Sequence, residues 1–179
     1  MKSSNSINTM LTCLMLTLPA HHAIAIELDA HEHGSANLDI VIDTIQMSFH
    51  SPAVNIVGFE YATDDKQQLL LIKQAKDSLS NVNDMFSLVG NVSCQTVKAS
   101  ANWLTEHEEE HDETPSSEHA EFIAEYELTC KQLNNLTAIE VNLFEFFPAI
   151  ADLDVQMIYA GGQVKQELNA NNTLIELAY

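Results

Sequence analysis

Apolar and polar residues alternate most regularly over 119–130. There Ala120, Phe122, Ala124, Tyr126 and Leu128 interleave with His119, Glu121, Ile123, Glu125 and Glu127. A period of two is that of a strand with one buried face. The same period runs from His33, with Ala36, Leu38, Ile40 and Ile42 on one side and Ser35, Asn37, Asp39 and Val41 on the other. After a turn near Asp43–Ile45 it resumes over Gln46–Ser51, so the two runs predict a hairpin. Ser51-Pro52 ends it, because proline has no N–H for the ladder.

Val54–Ala62 is a short apolar run closing on Gly58-Phe59-Glu60. Asp64 and Asp65 then read as helix-start acids, and Gln67–Leu79 predicts an amphipathic helix. Its inward positions are Leu69, Ile72, Ala75, Lys76 and Leu79, with Lys73 and Asp77 toward water. Asn83–Val89 reads as a second helical piece with Met85, Phe86 and Val89 inward. Farther on, Leu143–Pro148 predicts a helical turn stopped by proline, and Asp154–Tyr159 a strand. Gly161-Gly162 predicts a hairpin turn and Val164–Leu168 the returning strand. Asn171-Asn172 is another turn before Thr173–Ala178. The sum is an α+β fold, mainly antiparallel sheet with one principal helix, and no internal repeat. One domain is expected over 26–179.

Composition adds an address. Lys2 is the only charge before Glu27, and Met10–Leu18 (MLTCLMLTL) has the length of a signal-peptide core, short of a membrane span. An N-terminal anchor helix is the alternative, which the length disfavours. Ala23-Ile24-Ala25 is an A-x-A cleavage site, so 1–25 reads as a signal peptide and Ile26 as the first mature residue. His21 and His22 would leave with it. Without Lys2, six lysines and no arginine face 26 carboxylates, a formal charge of −20. Nucleic acid and anionic membrane surfaces are thereby excluded as natural partners, and cations or basic proteins favoured. No later run is apolar enough to span a membrane.

Cys94 and Cys130 remain after processing. An even pair in an exported protein reads as a disulfide, with a thiolate metal site as the rival. Pairing Cys94 with Cys130 in an antiparallel ladder, Val92–Leu104 against His119–Cys130, sets Leu104 opposite Ala120. That hairpin would carry the disulfide at one end and Glu106–His119 (EHEEEHDETPSSEH) about 30 Å away at the other. This stretch holds three histidines, seven carboxylates and no apolar side chain beyond Pro115. It cannot bury enough surface to offset the entropy of ordering, so a mobile loop over 105–118 is expected. His107-Glu108-Glu109-Glu110-His111 matches H-E-x-x-H. Its flanks are acidic, nothing seats it as a buried helix, and the peptidase reading fails.

Imidazoles and carboxylates nevertheless suit borderline cations such as zinc. His31-x-His33 in extended chain points two imidazoles the same way; two solvated histidines are the plain alternative. His119 begins a regular strand and so has a fixed position. Glu60, at the end of an apolar run, is a hydrogen-bonded carboxylate or a metal ligand. His50, just before Ser51-Pro52, reads as structural. No nucleophile elbow or glycine-rich phosphate loop is present, and nothing argues for an enzyme.

The pieces HEHGSANLDIVID, SPAVNIVGFEYA, a histidine-acid loop, HAEFIAEYELTC and LFEFFPAIADLDVQMI together resemble the ZrgA family, over essentially the whole mature chain. The resemblance implies a zinc-regulated, zinc-binding protein of the Gram-negative periplasm that supports high-affinity zinc uptake. A periplasmic component of a zinc uptake transporter is then a candidate partner. Matching positions are His31, His33, Gly34, Gly58, Phe59, Glu60, His119, Cys94 and Cys130. The loop here carries only His107 and His111 inside it, fewer than the family's long histidine runs. The expectation is one Zn2+ held by His31, His33 and His119, with Glu60 as the candidate carboxylate and His107 and His111 collecting weakly bound ions. An envelope adaptor that docks a partner through the acidic loop, with no specific metal role, is the alternative.

Overall fold

The computed structural model describes residues 33–105 and 119–177. The expected leader, His31, His107, His111 and the acidic stretch 106–118 lie outside them. The described chain is mostly sheet. Its first strands, β1 (Ser35–Ile42) and β2 (Ile45–Pro52), form the expected hairpin around Asp43-Thr44. A four-residue helix follows, α1 (Val54–Val57), within the run that the apolar pattern left unassigned.

The principal helix, α2 (Lys66–Leu79), starts where Asp65 accepts from the backbone N–H groups of Gln67 and Gln68, an N-cap satisfying two of the helix's orphan donors. Its buried stripe is Ile72, Ala75 and Leu79. Leu69, expected inward, is 46% exposed, because the contact is narrower than the spacing suggests.

The next segment departs from the helical expectation. Helix α3 covers only Val82–Met85, and Phe86–Gly90 is strand β3. Val89 therefore points outward. Strands β4 (Ser93–Thr105) and β5 (Ala120–Lys131) pair antiparallel with Cys94 opposite Cys130. A bulge between Thr96 and Lys98 shifts the register by one residue, so Leu104 faces Glu121 and Thr105 faces Ala120. Then come β6 (Leu136–Val141), α4 (Leu143–Phe146), β7 (Asp152–Tyr159), β8 (Gly162–Leu168) and β9 (Leu174–Glu176).

The larger sheet has the order β4-β5-β2-β1-β7-β8, and the smaller β3-β6-β9. Every pairing is antiparallel except β1 with β7, which is parallel. The registers line up one face into rows: Ala124, Phe49, Leu38 and Val155, then Tyr126, Met47, Ile40 and Met157. All eight side chains are buried, and they form one cluster with the stripe of α2 and with Leu136, Ile139 and Val141 of the smaller sheet. Phe86 meets Tyr126 edge to face at 5.2 Å where the two sheets touch. The Tyr126 hydroxyl donates to the Leu79 carbonyl at 2.7 Å, tying β5 to the end of α2.

Candidate metal centre

The candidate site gathers where three separated segments meet beside the start of β5. His33 stands one residue before Gly34, whose carbonyl accepts from the backbone N–H groups of Ala151 (2.7 Å) and Asp152 (3.0 Å). The turn carrying His33 is thus fastened to the approach to β7.

The segment bearing Glu60 is fastened twice to a single residue of the β5 terminus. Ala53 N–H donates to the Ala120 carbonyl, and Ala120 N–H donates to the Glu60 carbonyl, both at 2.9 Å. Between these bonds α1 ends at Gly58, whose left-handed φ of 84° lets the chain reverse without a Cβ clash. Phe59 then turns inward. Its ring lies 5.8 Å from Trp103 and 5.4 Å from Tyr61, so an aromatic cluster grips the residues on both sides of Glu60. Because Ala120 is bonded to Glu60 through the backbone, His119, the residue before it, is brought to the same place.

As a result Glu60 Oε1 lies 3.4 Å from His33 Nε2 and 3.4 Å from His119 Nδ1. That is long for a hydrogen bond. It does match the edge of a tetrahedral zinc site: ligands about 2.0–2.1 Å from the ion at tetrahedral angles stand roughly 3.3–3.4 Å apart. Glu60 is the most sheltered of the three side chains, at 24% exposure against 49% for His119 and 68% for His33. Among the described residues, no three or more His, Cys, Asp or Glu side chains are arranged so that they could hold a metal ion as they stand. The arrangement is two edges sharing one oxygen, open to water. Its donors, two imidazoles and one carboxylate, are the kinds zinc takes.

The remaining candidates sort by position. Cys94 and Cys130 form a disulfide at the opposite end of the β4–β5 ladder, so their sulfurs are not thiolate ligands. His50 Nε2 is 3.0 Å from Ser48 Oγ on its own strand, consistent with a structural role. His31, His107 and His111 fall outside the described residues. One residue the spacing did not single out is Asn55, a buried polar side chain in α1. Its signal was present as an amide inside the apolar run Val54–Val57.

The fold and site together define a disulfide-bonded, mainly antiparallel sheet protein with a histidine-carboxylate cluster at one end of its central sheet. A family model described as ZrgA family zinc uptake protein matches residues 30–177. The chain belongs to the ZrgA family. No curated protein matched it.

Proposed function

We propose that this chain is an exported accessory protein, folded as one domain over 26–179, that captures Zn2+ in the periplasm and supports its uptake. The observation carrying this is the approach of His33 and His119 to one oxygen of Glu60, both at the spacing of a tetrahedral zinc edge. In this reading His33, His119 and Glu60 bind the ion, and His31 supplies a further imidazole. His107 and His111 gather weakly held ions and pass them to that site. The role is cargo binding; the family description speaks of zinc uptake and not of catalysis.

Neutral imidazole is the ligand form, so protons compete with the ion for the site. The test is calorimetric titration of zinc into residues 26–179, beside His119→Ala and a variant lacking 106–118. One tight site is expected to survive the deletion and to weaken on the order of 10-fold or more when His119 is lost. Equal affinity of His119→Ala and the parent would refute the site. Loss of all binding with 106–118 would move the metal function to that segment.

A further inference from the structure

We propose that Asn55 is a positioning residue for the metal site, holding the His33 turn in register with the segment that carries Glu60. The inference rests on the reading of His33 as a ligand. Asn55 is 4% exposed and touches the His33 turn on both faces of its amide. Its Oδ1 accepts from Gly34 N–H at 2.8 Å, and its Nδ2 donates to the Ser35 carbonyl at 2.9 Å. Nδ2 also lies 3.3 Å from Ser51 Oγ, and Ser51 is itself fully buried. A flipped amide would set donor against donor and acceptor against acceptor, so these partners determine its orientation.

The location makes this amide more than a filler. His33 is 68% exposed, whereas the neighbourhood of Glu60 is held by the rings of Phe59 and Trp103. What places it is backbone. Gly34 adopts φ +91°, a conformation strained for any side chain, and Asn55 bonds the N–H of that residue and the C=O of the next. Asn55 itself lies in α1, within the segment tied at Ala53 and Glu60 to Ala120. One buried side chain therefore joins the His33 turn to the unit that already carries Glu60 and His119. Without it, ordering of the turn would have to accompany metal binding, and affinity would fall.

A double-mutant cycle tests this: zinc affinity of the parent, Asn55→Ala, His33→Ala and the double variant, with thermal melts of the metal-free proteins. Asn55→Ala is expected to weaken zinc on the order of 10-fold or more in the parent, as loss of supporting contacts does, and to cost nothing further once His33 is absent. A general structural role would instead weaken binding equally in both backgrounds and would overturn the proposal. So would an unchanged affinity in a folded Asn55→Ala. If His33→Ala binds like the parent, His33 is not a ligand and both readings fail. If only Asn55→Ala is silent, the site stands and the positioning role falls. Should Asn55→Ala fail to fold, Gly34→Ala perturbs the same turn from outside the core, and unchanged affinity there overturns the proposal too.

Discussion

Replacing Tyr126 with phenylalanine isolates one buried bond whose contribution depends on pH in a calculable way. Tyr126 is 2% exposed, and burial pushes its phenol well above the ordinary value. Phenylalanine keeps the ring packed on Phe86 but leaves the Leu79 carbonyl without its donor. A lost intramolecular hydrogen bond of this kind costs about 1 kcal/mol at pH 8, or a fall in Tm of roughly 2–4 °C for a domain of this size. The folded protein holds the Tyr126 proton more tightly than the unfolded chain does. Its contribution is therefore complete below the unfolded phenol value, about 10, and is lost as pH rises beyond it. That loss runs at about 1.36 kcal/mol per pH unit and is absent from the variant. The two proteins should thus be equally stable between pH 10 and 11, at roughly 10.7, with the variant ahead by pH 11. Urea unfolding of both at pH 8, 10 and 11 measures this, since the other tyrosines and all lysines are common to the pair. A stability difference that stays constant from pH 8 to 11 would refute the reasoning. No difference at pH 8 would mean that the bond to Leu79 contributes nothing.

Two further outcomes follow from covalent and charged contacts. Replacing Cys94 and Cys130 together by serine should lower stability by roughly 3.5–4 kcal/mol, the chain-entropy value for a loop of this length, read as a shift in urea midpoint. Lys98→Ala should change stability by less than about 0.5 kcal/mol, because the Lys98–Glu125 pair is half exposed on both sides and screened by solvent. Lys98 holds the Glu125 carboxyl below its ordinary value, so even this small difference is present above the unfolded carboxyl value and vanishes as pH falls through the folded one.

Where one face of an element is buried, the sequence was legible. The alternation over Ala120–Leu128 named five inward residues, and all five are buried. Spacing alone did less well where two periods fit the same residues. Met85, Phe86 and Val89 stand at helical intervals, yet Phe86–Gly90 pairs with β6 and turns Val89 to water. The bulge after Thr96 left no mark in the sequence, because it is a property of two strands and not of one. Alternation likewise says which face a residue takes and not which strand lies beside it, so the parallel union of β1 and β7 was beyond reach. At the candidate site, the chemistry of His33, Glu60 and His119 could be read one residue at a time. Their meeting was expected from that chemistry and from the family resemblance, but no spacing in the chain specified it, since it depends on the bonds tying Ala53 and Glu60 to Ala120 and Gly34 to Ala151.

The parallel pairing also bears on how the chain reaches its native state. Ser35 aligns with Asp152 and Ile42 with Tyr159, partners from nearly opposite ends of the described chain. β1 sits third from one edge of its sheet, with the β1–β2 hairpin closed locally on one side. Its other side stays bare until β7 has been made. Such distant contacts raise contact order and place the protein among slow folders, in the millisecond-to-second range or longer. An unfinished chain would thus offer the open edge of β1, flanked by apolar Leu38 and Ile40, to any neighbouring strand. Truncation before β7 should accordingly yield aggregation, not a smaller stable protein.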